Sequence, residues 1–372
     1  MPFIQQETHV GVCAVADLWM VARYMNRLGE TRRYRPSELT ELATSHFTFG
    51  SIREGLINVQ MIEALRQMGL NPELVTPQNA TDAREVLYAY VESEVPVIVG
   101  LPGHVAVVIG HDYTPNMLEH SPPQGSNATL AGYVNAFFVH DDREGPYIRR
   151  GVGCALKPQM LPDGPQEVLT LDDKNVDYCI AIVPPRVHLR PEDAIQIGTV
   201  WIRGIRQWVL GMDWKSIPGV DPVKEGIIWE EEDLQDLVFR PYLRSSGKFK
   251  REIMEFARRT QIDPAIAARY WCMPMPKYVW VLELSKSTEV GGKTPCERPV
   301  RGEIILDSTA NRFVFDDCLL AFHLNGRMYW REKNKEEPEY LFEWNFDSKP
   351  RPPLLRPLNR EPSLAPEEES TQ

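Results

Sequence analysis

The spacing of apolar and polar residues changes along the first half of the chain. Up to about residue 93 apolar residues recur every three or four positions, which predicts amphipathic helices at 13–28, 36–43, 58–68 and 81–93. Beyond this point they form short runs rich in Val and Ile, which predict strands at 95–101, 104–113, 133–142 and 177–185. Helices followed by strands indicate an α+β fold and not a βαβ repeat.

The second half again combines helical and strand patterns. Helical spacing is found around residue 208 and in the segments 248–260 and 264–271, and strand patterns at 277–286, 301–308 and 318–330. The last segment is predicted as a hairpin that turns at Asn325-Gly326. The segment PPRVHLRPEDA between the halves is predicted as a linker. We therefore predict one unit in 1–185, a second α+β domain of unknown type in 186–347, and a disordered Pro- and Glu-rich tail in 348–372.

Composition narrows the function classes. The 41 basic and 52 acidic residues leave a net charge of −11, which argues against broad electrostatic binding to nucleic acid or to an anionic membrane surface. The six cysteines are scattered, without CxxC or metal-type spacing. The N-terminal residues do not have the pattern of a signal peptide. The longest apolar run, 95–110, is shorter than a bilayer span of ~20 residues. We expect a cytoplasmic protein with reduced thiols and no membrane association.

One cysteine stands where catalysis is chemically favoured. Cys13 is at the predicted start of the first helix. Free N–H groups and the helix dipole at such a position stabilise a thiolate, which is the nucleophilic form of cysteine. Most free cysteines are small buried apolar residues, so the position acquires meaning only with suitable partners elsewhere in the chain.

Possible partners follow in the order that nucleophilic catalysis requires. His104 begins a strand that is apolar on both faces, so its imidazole is expected at the accessible end, where it could act as a general base. Asp141 ends another apolar strand and could orient that imidazole, with Asp142 as the competing assignment. Upstream, Gln6 or its neighbour Gln5 could donate to an oxyanion.

Residues 1–150 resemble papain-like cysteine peptidases, and within them the double-glycine leader peptidases that process bacteriocins in bacteria. The resemblance rests on four segments: QQETHVGVCAVADLWM, MIEALRQMGLNPELV, GHVAVVIGHD and AFFVHDD. The chain departs from the family pattern at Ala14, where Gly is frequent, and at Asp-Asp in place of Asp-Pro. The separation of 37 residues between His104 and Asp141 is also long, and we attribute the excess to an inserted loop.

The resemblance implies a nucleophile helix packed on an antiparallel sheet, and hydrolysis of a peptide or isopeptide bond. Cys13 would be the nucleophile, His104 the base and acid, Asp141 the orienting group and Gln6 the oxyanion donor. The substrate would be a protein or peptide with small residues such as Gly before the cleaved bond. The resemblance implies no metal and no organic cofactor.

Two other functions stay open. The same triad could transfer the acyl group to an amine or thiol other than water, or the domain could be a non-catalytic binding module. Residues 186–347 could dock the substrate or a regulatory protein partner, and the helix-turn-helix-like segment 255–271 is expected to pack against its neighbours because its basic residues form only a patch. His9 and Cys154 are weaker candidates for chemistry, whereas alternation places His111 and His140 on the strand faces opposite to His104 and Asp141, where we expect them to be structural or exposed.

Overall fold

The computed structural model describes residues 1–4, 13–46, 55–78, 80–113, 128–151, 171, 176–210, 234–259, 264–290, 298–310, 318–324, 327–331 and 340–343. These residues form helices and two six-stranded sheets in which all neighbouring strands are antiparallel. The predicted mixture of α and β elements with antiparallel strands is confirmed.

The first four helices agree with the apolar periodicity to within one residue at each end. They are α1 Cys13–Arg27, α2 Pro36–Thr44, α3 Asn58–Gln67 and α4 Ala80–Glu92. The apolar face of α1 is buried, including Leu18 and Val21 at full burial. Gly29 follows α1 with φ +78°, a left-handed conformation that glycine adopts without steric cost and that commonly terminates a helix.

The first sheet contains the strands that follow these helices. They are β1 Asn71–Val75, β2 Val97–Leu101, β3 His104–Tyr113, β4 Val134–Asp141, β5 Gly145–Gly151 and β6 Tyr178–Val183, in the spatial order β1-β6-β2-β3-β4-β5. Strands β2 and β3 form a hairpin closed by the pair Leu101 and His104, with Gly103 at φ +68° in its two-residue turn. The sequence did not predict β5 because this edge strand is largely exposed and lacks apolar alternation.

Helix α1, which begins at Cys13, packs on this sheet. Its buried apolar residues form one cluster with α2, α3 and the sheet side chains Ile98, Val105, Val107 and Ile180. These four sheet residues come from the central strands β2, β3 and β6. Helix α1 is therefore held against the centre of the sheet by apolar burial.

The second sheet is a meander in chain order. Its strands are β7 Leu237–Ser245, β8 Tyr278–Lys286, β9 Gly302–Asp307, β10 Leu319–Leu324, β11 Arg327–Arg331 and β12 Tyr340–Glu343. The helices are α5 Pro191–Leu210, α6 Ser246–Arg259, α7 Pro264–Cys272 and α8 Ser287–Val290. Leu324 pairs with Arg327, which confirms the predicted hairpin. Helix α5 begins at Pro191, inside the predicted linker, because proline is compatible with a first helical turn.

A single buried apolar cluster includes residues of both sheets. Val99 and Val108 of the first sheet belong to it together with Phe239 and Trp280 of the second. The indole Nε1 of Trp280 also donates a 2.8 Å hydrogen bond to the carbonyl of Leu189. The division into units at residue 185 stays a prediction. Among the described residues, none of the helices combines the length and apolar character needed to cross a bilayer.

Candidate active site

Sheet pairing brings His104 and Asp141 together. Strand β3 begins at His104 and the antiparallel strand β4 ends at Asp141, so the two residues share one end of the sheet. The Nε2 atom of His104 lies 3.0 Å from Oδ1 of Asp141. The carboxylate is buried, whereas 11% of the imidazole side chain is exposed. A buried acid therefore contacts an imidazole that is partly exposed to solvent.

Cys13 is the first residue of α1 and is half-buried. Its thiol interacts with the imidazole of His104 and raises the pKa of that ring. The Nδ1 atom of His104 is buried and has no hydrogen bond that meets normal distance and angle criteria within the described residues. This nitrogen is consequently available to exchange a proton with the thiol, and such contacts in unliganded sites often shorten only when substrate binds.

Opposing effects act on the His104–Asp141 pair. Burial lowers the pKa of His104, but the hydrogen bond to Asp141, the interaction with Cys13 and the charge of Asp141 raise it overall to about 10. Burial would raise the pKa of Asp141, yet His104, the backbone N–H of Arg143 and the charge of Arg150 lower it to about 2. Both shifts favour an imidazolium held by an ionised carboxylate.

Asp141 is fixed from several directions. Its Oδ1 atom also accepts from the backbone N–H of Arg143 at 3.0 Å and of Glu144 at 3.3 Å, and its Oδ2 atom accepts from Arg150 Nη2 at 2.9 Å. Arg150 is buried and belongs to β5, the strand that the sequence did not predict. Arg150 was therefore not predictable as a supporting residue, since the apolar pattern gives no signal for the strand that carries it.

The competing carboxyl, Asp142, is farther from the imidazole. Its Oδ1 atom lies 3.7 Å from Nε2 of His104, and neither of its oxygens has a hydrogen-bond partner among the described residues. Strict alternation would place Asp141 and Asp142 on opposite faces, but the register shifts between Val139 and Asp141 where β4 ends. The distances favour Asp141 as the partner of His104.

A further acid is buried at this site. Asp17 lies four residues after Cys13 on α1, is fully buried, and has no hydrogen-bond partner for either oxygen within the described residues. Burial raises its pKa well above the ordinary 3.8, and the charges of Asp142 and Cys13 raise it further. Asp17 was not among the predicted site residues, although an acid inside the apolar face of a helix, one turn after Cys13, is a signal that the sequence contains.

The donor atoms of His104, Asp141 and Asp142 lie within 4.8 Å of one another, close enough by distance to hold a metal ion. Both oxygens of Asp141 already accept hydrogen bonds, one of them from Arg150. A bound cation would have to compete with this guanidinium and with His104. The arrangement therefore fits a proton-transferring triad better than a metal centre.

The other candidates lie apart from this chemistry or outside the described residues. His111 is fully buried and pairs with Glu92 at 2.6 Å. His140 lies between the rings of Phe3 and Tyr147, and burial lowers its pKa to about 4. Gln5, Gln6, His9 and Cys154 lie outside the described residues, so the oxyanion donor stays a prediction.

Two solved structures of peptidase domains are similar to this chain. One is a double glycine motif protease from an AMS/PCAT transporter in complex with the leader peptide, with 14% identity, 49% of this chain and 91% of that chain covered, and a TM-score of 0.28. The other is the peptidase domain of Streptococcus ComA, a bi-functional ABC transporter involved in a quorum sensing pathway. It is 15% identical, the match covers 49% of this chain and 97% of that chain, and the TM-score is 0.30. Both are peptidase domains of the kind that the motifs resemble. No family model and no curated protein matches the chain.

Proposed function

We propose that this chain is a papain-like cysteine peptidase in which Cys13 is the nucleophile. His104 acts as general base and then general acid, and Asp141 orients its imidazole. The observation that carries the proposal is the 3.0 Å contact between His104 Nε2 and Asp141 Oδ1, made by an imidazole whose other neighbour is a thiol at a helix N-terminus. A nucleophile that contacts a base, which in turn contacts an orienting acid, is the general arrangement of covalent acyl-transfer catalysis.

The geometry supports the following reaction cycle. The raised pKa of His104 favours the form in which its Nδ1 already holds the proton of the Cys13 thiol, and the thiolate attacks the carbonyl carbon of the scissile bond. Collapse of the tetrahedral intermediate forms a thioester and expels the amine, which takes its proton from His104. A water molecule that gives a proton to His104 then attacks the thioester, which releases the acid product and regenerates the thiol.

Asp141 supports this cycle by holding the ring in one orientation. Because Nε2 is engaged by Asp141, Nδ1 is the nitrogen left to face the sulfur. Arg150 and two backbone N–H groups fix Asp141 in turn. The imidazole therefore needs little reorganisation between taking a proton and giving it back.

We propose a peptide or protein segment as the substrate, with small residues before the cleaved bond. The AMS/PCAT protease was solved in complex with the leader peptide, and a peptide ligand is the corresponding expectation for this chain. A regulatory partner for residues 186–347 and a cytoplasmic location stay predictions.

Thiol labelling at mildly acidic pH tests the nucleophile without knowledge of the substrate. At pH 6 an ordinary thiol, with a pKa of roughly 8.5, is almost entirely protonated. Cys272 is exposed and provides a matched control for the half-buried Cys13. We expect iodoacetamide to label Cys13 at least ~10-fold faster than Cys272, and His104→Ala to remove this difference. Labelling of Cys272 at the same or a higher rate than Cys13 would refute an activated nucleophile.

Cleavage itself is tested by comparing new N-termini in a proteome treated with the wild type or with Cys13→Ala. We expect cleavage sites that depend on Cys13, with small residues before the cut, while Cys272→Ala cleaves like the wild type. Identical N-termini after treatment with the wild type and Cys13→Ala would contradict the proposed activity.

A further inference from the structure

The acid on α1 is unusual in its surroundings. Asp17 lies one helical turn after Cys13, so the two side chains are on the same face of the helix. Both carboxyl oxygens of Asp17 are buried and have no hydrogen-bond partner in the described part of the chain. An isolated buried carboxylate is strongly unfavourable, and a group in this position usually retains its proton or pairs with a cation.

Five titratable groups interact electrostatically with Asp17. They are Cys13 of α1, His104 of β3, Asp141 and Asp142 at the end of β4, and Tyr178 of β6. His104 is the one cationic group among these five, and it is engaged by Asp141. The positive charge of Arg143 also acts on this cluster, since it lowers the pKa of both His104 and Asp142. Ionised Asp17 would thus add a negative charge beside two existing carboxylates and the thiol.

Asp142 presents the complementary problem. It is fully buried, and its two oxygens also have no hydrogen-bond partner within the described residues. After burial, the repulsion between Asp17 and Asp142 is the largest cause of the raised pKa of Asp17. Two nearby carboxyls that cannot both ionise share one proton, as the carboxyl pair of aspartic proteases does.

We propose that Asp17 is a positioning residue of this site, a neutral acid that donates a hydrogen bond to Asp142 and holds that carboxylate behind His104. The pair carries one proton and one negative charge. Asp17 supplies the O–H donor, and Asp142 is the acceptor, with its Oδ1 atom 3.7 Å from Nε2 of His104. The electrostatic role of Asp17 in catalysis rests on the proposed function, whereas the shared proton does not.

The protonation state can be measured directly on the whole protein. In protein labelled with ¹³C at the aspartate carboxyls, the carboxyl signal of Asp17, assigned by its loss in Asp17→Asn, is expected to remain that of a protonated acid at pH 7. Asp142→Asn should shift the titration midpoint of Asp17 to lower pH, because it removes the negative charge that raises it. A carboxyl signal of Asp17 that is fully ionised at pH 7 would overturn the proposal.

The positioning role is tested by two variants of Asp17 that differ in one property. Asp17→Asn retains a hydrogen-bond donor, while Asp17→Leu has similar volume and no donor. We expect Asp17→Leu to lower kcat by about 10-fold or more with little change in KM, and Asp17→Asn to stay within about 3-fold of the wild type. Asp112→Asn, an acid in an exposed ion pair on the same sheet, is the control and should be unchanged. Equal kcat values for the Asn and Leu variants would reject the role.

The two hypotheses fail in different ways. If the wild type cleaves nothing, the labelling rate of Cys13 at pH 6 replaces kcat as the measured quantity, and the ¹³C titration still reports the shared proton. A wild type that cleaves peptides while Asp17 is ionised at pH 7 would end the inference and leave the peptidase standing. Asp17→Leu is used for rates only if its circular dichroism spectrum matches that of the wild type.

Discussion

Strand β3 carries a histidine–carboxylate pair near each end, and the two pairs have different surroundings. At its start, His104 contacts Asp141, is partly exposed, and has a thiol as its other neighbour. Seven residues later, His111 contacts Glu92 at 2.6 Å and is fully buried. The first pair is partly exposed and lies beside a thiol, whereas the second is sealed in the protein interior.

The second pair belongs to a larger buried ionic network. Arg240 bonds both Glu92 and, at 2.9 Å, Glu283, and Arg298 bonds Glu283 at 2.6 Å. This network links α4 to strands β7 and β8 of the second sheet. A histidine paired with a carboxylate is therefore not by itself a sign of catalysis, because the same pairing here joins two parts of the fold.

The largest expected effect separates the two histidines by activity. His104→Gln should lower kcat/KM by about 10²–10⁴-fold because it removes the general base, and it should also remove the stability that the pair with Asp141 contributes. The measurement is a cleavage assay beside urea unfolding monitored by circular dichroism. Loss of stability without loss of turnover in this variant would reverse the assignment of the two pairs.

His111→Leu is the reciprocal experiment. It removes the imidazole from Glu92 inside the protein, and breaking a buried pair costs about 3–5 kcal/mol in the free energy of unfolding. Cleavage by the fraction that remains folded should stay close to the wild-type rate. A His111→Leu protein with unchanged stability and no turnover would show that this pair has a direct part in the reaction.

Asp141→Asn tests the electrostatic coupling at the accessible pair. The folded-state pKa of His104 is about 10 against an ordinary 6.5, so the stability that Asp141 gives through His104 is complete below pH 6.5 and is lost as pH rises through about 10. The pKa of Asp141 is about 2 in the folded protein and ordinarily 3.8. Its contribution to the free energy of unfolding is therefore complete above pH 3.8 and is lost as pH falls through about 2. We therefore expect the wild type to exceed Asp141→Asn in stability by the most between pH 4 and 6.5.

The measurement for Asp141→Asn is urea unfolding at several pH values, together with an NMR titration of His104. The variant should lower the pKa of His104, and its kcat should fall by up to about 10⁴-fold, as for a triad that loses its orienting acid. Asp142→Asn is the matched control and should affect both quantities less. A pH-independent stability difference would contradict the coupling.

The smallest effects distinguish two neighbouring arginines of β5. Arg150 is buried against Asp141, whereas Arg149 forms an exposed pair with Asp112. We expect Arg150→Met to lower kcat by about 10-fold and to raise the pKa of Asp141. Arg149→Met should lower the free energy of unfolding by less than about 1 kcal/mol and leave turnover unchanged. Equal kcat values for the two variants would show that Arg150 does not support the orienting acid.

The sequence predicted the elements whose side chains alternate between water and the core. Helices α1 to α4 were located to within a residue because burial on one face imposes a helical period on their apolar positions. Strand β3 was located by its continuous apolar run, because a central strand is buried on both faces. Strand β5 was missed because an exposed edge strand imposes no such period. Strand β7 was missed because its buried Arg240, with the adjacent Pro241, interrupts the apolar pattern.

The identity of the candidate site residues came from the sequence, and their supporting contacts came from the tertiary structure. Residue type, local position, order along the chain and the resemblance to papain-like peptidases together singled out Cys13, His104 and Asp141, with Asp142 as the competing acid, because a thiol at a helix start and an imidazole at a strand start are local features. Which carboxyl faces the imidazole, and that Arg150 and Asp17 surround it, depended on strand register and on the packing of α1 against the sheet. Those contacts join residues distant along the chain, and no local period records them.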